Sequence, residues 1–174
     1  MEKNETEYNE GKITLVAFGD IHGGTHNLME LVPVMERADG ILFLGDGVSS
    51  LEILPRHLNK KLHAVRGNVD FFCKLPDELL VEIGGKTIFM AHGHTYGVKS
   101  SHDEIAKMTE NYGADLCIYG HSHKYDRVVR KGVEVINVPP IGEKRTDLPG
   151  SYLIIEIENG NIKCELERLD KYKG

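Results

Sequence analysis

The 174-residue chain has only three cysteines, Cys73, Cys117 and Cys164. They are odd in number and widely spaced, so they supply neither a disulfide framework nor a C-x-x-C metal or redox motif. Cys117 and Cys164 lie inside apolar, strand-like runs and read as small buried hydrophobes. No apolar run approaches the length that spans a bilayer, which excludes a membrane helix. No secretory h-region opens the chain, and with reduced thiols that places the expectation in the cytoplasm. Basic patches are absent too. Lys60-Lys61 and Lys171-Tyr172-Lys173 are short solvated groups, and 27 acidic against 21 basic residues give a net charge of −6. Nucleic-acid phosphates want the opposite sign, so no nucleic-acid footprint is expected. Internal repeats, low-complexity linkers and a second domain are likewise missing.

What is present alternates apolar strands with helical patterns. Residues 1–11 read as a flexible N-terminal tail and 12–174 as a single domain. Ile13–Phe18, Ile41–Leu44 and Leu62–Val65 are short, almost wholly apolar runs, as strands buried on both faces should be. Between them, Asn27–Arg37 carries Leu28, Leu31, Val32 and Met35 on one helical face, with Pro33 expected to kink or divide it. A second helix is expected over Leu51–Leu58, disturbed by Pro55. The second half reads as hairpins. Gly84-Gly85, Lys131-Gly132 and Asn159-Gly160 each separate two strand-like runs. Ser101-His102-Asp103-Glu104 has the form of a capping box opening a helix to about Asn111, with Gly113 beyond its end. Together these predict an α/β protein with a mixed β core of two packed sheets and helices outside.

The residues able to do chemistry sit at one kind of place. Five strands end in small polar segments: Gly19-Asp20-Ile21-His22-Gly23, Gly45-Asp46-Gly47, Arg66-Gly67-Asn68-Val69-Asp70, Ala91-His92-Gly93-His94 and Gly120-His121-Ser122-His123. Ligands of α/β sheets bind beyond the carboxyl ends of strands. Each segment joins a metal-ligand type to glycine, which lets the backbone turn sharply. Singly, each is a common turn or cap. Jointly, two Asp, one Asn and four His offer oxygen and imidazole donors for two divalent ions. A carboxylate such as Asp46 can bridge cations about 3.5–4 Å apart, the spacing of two-metal hydrolysis.

This ordered set resembles the signature of the calcineurin-like metallophosphoesterases, and the chain's size resembles their compact single-domain phosphodiesterase branch. The resemblance implies a four-layer αββα sandwich of two mixed sheets flanked by helices. It implies a phosphoester hydrolase in which Asp20, His22 and His123 hold one metal, Asn68, His92 and His121 the other, and Asp46 bridges them. Asn68, His92 and Asp46 are then the catalytic set. Manganese is the first expectation for both metals, with nickel, iron, cobalt or zinc as alternatives. A small phosphoester is the implied substrate, and a homo-oligomer is compatible with it. His94 and Asp70 are candidates for substrate contact, Asp70 also for shaping its turn.

Two departures from the family pattern stand out. Val69 occupies the position after the Asn that larger relatives often fill with a substrate-contacting histidine. Asn137-Val138-Pro139-Pro140 stands where relatives of this branch carry Asn-Pro-Gly-Ser. The rival readings are a retromer-subunit-like interaction scaffold with a vestigial metal site and a metal-storage or sensing protein. A complete ligand set weighs against the first, and a bridging Asp framed by glycines, with ligand loops that leave open positions, against the second.

Overall fold

The computed structural model describes residues 3–5, 11–142 and 150–169. Strands β2 (Ile13–Phe18), β3 (Gly40–Phe43) and β4 (Lys61–Ala64) run parallel to one another. On their other side β10 (Ser151–Glu158) pairs antiparallel with β2, and β11 (Asn161–Arg168) antiparallel with β10, completing a sheet ordered β11-β10-β2-β3-β4. The second sheet is ordered β1-β5-β6-β7-β9-β8. Its parallel centre is β6 (Lys86–Ala91), β7 (Leu116–Tyr119) and β9 (Val133–Asn137). Antiparallel to the outer two of these lie β5 (Glu78–Ile83), paired with β6, and β8 (Asp126–Arg130), paired with β9. β1 (Lys3–Glu5) adds parallel to β5.

The alternation of side chains along each strand builds the layers. On β2, Leu15 and Ala17 face the space between the sheets, where they meet Ile88 and Met90 of β6. The intervening Val16 and Phe18 face Leu28, Leu31 and Met35 of helix α1 (Thr25–Arg37). On β6, Phe89 and Ala91 face Ile105 and Ala106 of helix α2 (Asp103–Tyr112). Helix, sheet, sheet, helix is the αββα sandwich that the family resemblance implied. Each large apolar side chain fully buried in these layers contributes roughly 1.5–3 kcal/mol.

Three local expectations need correction. Residues 3–5, inside the stretch read as a flexible tail, form a strand on the edge of a sheet; residues 1–2 and 6–10 lie outside the described residues. The helix expected over Leu51–Leu58 is a short 3-10 turn, Val48–Ile53. Leu54 leaves it in extended conformation, as the residue before a proline must. The capping box is not formed: the N-cap is His102, without a side-chain bond, and Ser101 Oγ accepts the Asp103 amide at 3.1 Å instead. Pro33 does not divide the helix, which runs as one element over Thr25–Arg37 with Pro33 on its exposed face. The hairpins behave as their turn residues require: Gly84-Gly85, Lys131-Gly132 and Asn159-Gly160 all hold positive φ, as type I′ turns demand.

Candidate metal centre

The parallel strands of both sheets deliver the site. Beyond the carboxyl ends of β2, β3 and β4 come Asp20, Asp46 and Asn68; beyond β6 and β7 come His92 and His121. The chain must then turn at once, and the candidate ligands themselves take the strain. Asp20, His22, Asp46, His121 and His123 all hold φ between 40° and 66°. Among the described residues the other non-glycines with positive φ are Lys131 and Asn159, both in hairpin turns. Such backbone costs about 1 kcal/mol or more per residue and persists only where surroundings enforce it.

Two donor clusters result: Asp20, His22 and His123, and Asp46, His92 and His121. In the first, Asp20 Oδ1 lies 3.3 Å from His22 Nε2 and 3.2 Å from His123 Nε2. The two imidazole nitrogens are 3.3 Å apart. In the second, His92 Nε2 is 3.2 Å from His121 Nδ1, 3.4 Å from Asp46 Oδ2 and 3.1 Å from Asn68 Oδ1. Asn68 thereby joins this cluster. Asp46 Oδ2 also stands 3.7 Å from His22 Nε2, so one carboxylate oxygen faces both clusters.

Electrostatics explains what the arrangement wants. Asp20 is fully buried and Asp46 almost so, and among the described residues their charged partners are histidines rather than Lys or Arg. Burial alone would raise the Asp20 pKa, but hydrogen bonding from His123 and His22 outweighs it and holds the carboxyl below the ordinary range. Asp46 is lowered likewise, with His92 and the Val69 amide opposing burial. Two buried carboxylates surrounded by converging lone pairs call for cations. Burial, then the positive charge of His92 and Lys99, pushes His121 down to about 4. It is therefore a neutral donor near pH 7. His92 is shifted up: its burial is outweighed by the carboxylates of Asp46 and Asp20. Its Nδ1–H donates to the Leu44 carbonyl at 2.8 Å, which sets the tautomer and turns Nε2 toward the cluster. The donor set fits two divalent ions.

Supporting residues hold the turns. Asp70 accepts four backbone amides: Asp46 and Gly67 on Oδ2, Gly47 and Val48 on Oδ1, at 2.9–3.0 Å. Of the two readings offered for it, this geometry supports the turn-shaping one. His94 packs its ring 5.4 Å from that of His92 and 6.2 Å from that of His121, beside the second cluster. Asn137, noticed in the sequence only as the start of an altered loop, donates to the Gly120 carbonyl at 3.1 Å and to Ser122 Oγ at 2.7 Å. It thus clamps the turn that carries His121 and His123. The loop beyond it bonds to the Asp20 turn through Ile141 N to the Gly19 carbonyl and Gly142 N to the Asp20 carbonyl. An asparagine ending a strand opposite Gly-His-Ser-His was the available signal. Leu44's carbonyl left no sequence signal at all.

Residues 13–160 match the family model of the calcineurin-like phosphoesterase superfamily domain. A relative from Bacillus subtilis (strain 168), named Probable metallophosphoesterase YsnB, is 33% identical over 148 residues, covering 84% of this chain and 86% of its own. Among solved structures, a conserved protein of Streptococcus pneumoniae TIGR4 described as a predicted phosphoesterase superposes with a TM-score of 0.75 at 24% identity, covering 93% of this chain and 92% of that one. Vps29 of Entamoeba histolytica, complexed with zinc, superposes with a TM-score of 0.66 at 23% identity, covering 90% and 99%. At these identities the two structures speak for the fold alone.

Proposed function

The chain belongs to the calcineurin-like phosphoesterase superfamily, and from that premise we propose that it is a metal-dependent phosphodiesterase. One observation carries the reading: Asp46 Oδ2 faces His92 of one donor cluster and His22 of the other. A storage or sensing site has no need of a shared carboxylate between two open clusters.

Asp20, His22 and His123 would hold one ion, Asn68, His92 and His121 the other, and Asp46 both, with manganese the expected metal. Two such ions supply Lewis-acid charge and lower the pKa of water enough for hydrolysis near neutral pH. The chain's own contribution is preorganisation. His92 Nδ1–H is spent on Leu44, Asp46 Oδ1 on the Val69 amide, and the Asp20 Oδ2 on the His121 amide at 3.0 Å. No donor has to reorient when charge develops on phosphorus oxygens. Val69 offers no proton to a leaving group, which favours esters whose leaving oxygen departs unaided. That selectivity supports diesters of acidic alcohols and phenols as substrates. Three free cysteines, two of them buried, support a reducing, cytoplasmic setting. Among the described residues no helix is long and apolar enough to cross a membrane.

An interaction scaffold is the second reading, favoured by exposed Phe71 and Phe72 beside the site. Metal-stripped protein assayed on an aryl phosphodiester and the matching monoester, with Mn²⁺, Ni²⁺, Zn²⁺ or Mg²⁺ restored, separates the two. Metal-dependent diester cleavage that is lost in Asp46→Ala supports the enzyme. Folded protein inert with every metal removes it in favour of the scaffold.

A further inference from the structure

Two chain segments leave the metal centre side by side. One starts at Asp46 and forms the 3-10 turn Val48–Ile53; the other starts at Asn68 and runs through Val69 to Cys73. The Asp70 carboxylate ties them together through the amides of Asp46, Gly47, Val48 and Gly67. Between them lies an open groove of about 330 Å³, with Val48, Ser49 and Glu52 on one wall and Val69, Phe71 and Phe72 on the other. Phe71 is 74% exposed and Phe72 102%, so most of their ring surface is open to solvent.

We propose that this groove is the subsite for the heteroaromatic base of a nucleoside phosphodiester, stacked on Phe71 and Phe72. The proposal rests on the phosphodiesterase reading. Both walls begin at candidate metal ligands, so a phosphate at the centre projects its organic group along them. Exposed aromatic faces bind planar rings irrespective of sequence. Glu52 and Ser49 at the opposite wall accept hydrogen bonds from base N–H groups, and the Glu52 carboxylate repels a second phosphate. A single nucleoside fits those walls; a polynucleotide would meet a chain of net charge −6.

Two diesters with one leaving group isolate the subsite: thymidine 5′-p-nitrophenyl phosphate and methyl p-nitrophenyl phosphate. The metal-loaded protein should prefer the nucleoside ester in kcat/KM. Phe71→Ala/Phe72→Ala should lower that preference by about 10-fold, through KM, while leaving the methyl ester's kcat/KM unchanged. Phe71→Tyr/Phe72→Tyr, which keeps the ring faces, should retain the preference. A wild-type preference near one, or one untouched by the double alanine change, overturns the subsite while hydrolysis itself persists. An unchanged preference together with a smaller sedimentation coefficient in the double variant assigns the rings to contact between copies, and overturns it equally. Failure of the wild type to cleave either ester removes the phosphodiesterase reading and this proposal with it.

Discussion

The Asp46 amide donates to Asp70 Oδ2 at 2.9 Å, so the residue proposed to bridge two metals is itself held by a carboxylate that belongs to neither donor cluster. Asp70 receives three further amides in the same grip. Asp46 must hold a φ of 58°, and this grip is a large part of what enforces it.

Asp70→Asn should therefore loosen the centre without touching substrate. An amide side chain presents one N–H₂ group to backbone donors that need acceptors, leaving at least one unsatisfied. The expected cost is about 1–3 kcal/mol of folding stability and about 10–100-fold in metal affinity. Thermal unfolding and calorimetric Mn²⁺ titration measure both. A rise in KM with unaltered metal affinity would instead return Asp70 to substrate contact.

Glycine clears the space for each carboxylate. A Cβ at Gly120 would lie 2.7 Å from Asp20 Oδ2, and one at Gly67 would collide with Asp46 Oδ1. Gly67→Ala and Gly120→Ala should each weaken metal binding by more than about 10-fold, because a displaced ligand carboxylate cannot keep its geometry. Gly132→Ala is the control. Its φ of 84° makes alanine strained, by about 1–2 kcal/mol, yet nothing lies within 4 Å of the added carbon. It should lower the melting temperature and leave metal affinity intact. Equal metal affinities in all three variants would refute the steric account.

The strand-end placement of the candidate ligands was legible because it is written in local pattern: apolar run, then Asp or His beside glycine. The hairpins were legible for the same reason, since Asn159-Gly160 and Gly84-Gly85 encode their turn type in two residues. What escaped was nonlocal. β1 pairs with β5, 77 positions away in register (Lys3 with Leu80). Asp70's four amides come from two different turns, and Leu44's carbonyl serves His92 across 48 residues. The Leu51–Leu58 expectation failed for a local reason that was in view: Pro55 forces Leu54 into extended backbone.

His63 supplies a pH dependence away from the metals. It is 7% exposed on β4, opposite Leu42, and burial, followed by the charge of Lys61, lowers its pKa below the ordinary 6.5. Its folded pKa lies below its unfolded one, so the unfolded chain binds the extra proton first. The stability it allows is complete above about pH 6.5 and is lost as pH falls toward the folded value. His63→Leu should flatten the fall in melting temperature of metal-free protein between about pH 7.5 and 5.5. Parallel curves for the two proteins would show that His63 does not titrate on unfolding in this range.

Val69 carries the last prediction. Its amide is fixed on Asp46 Oδ1 at 3.0 Å, while its side chain is 46% exposed. The backbone bond that positions the turn does not involve the side chain, which lines an open groove. A p-nitrophenolate departs without a proton; an alkoxide does not. A positioned acid contributes about 10²–10⁴-fold where proton transfer limits the rate. Val69→His should raise kcat on dialkyl esters by at least about 10-fold and leave aryl esters nearly unchanged. The change should appear as a new alkaline limb in the pH–rate profile of the alkyl ester, the rate falling as pH rises, because only the protonated imidazole can donate. Equal acceleration of both ester classes would mean that the new side chain improves binding rather than departure. No acceleration of either would show that leaving-group protonation at this position is not what limits the enzyme.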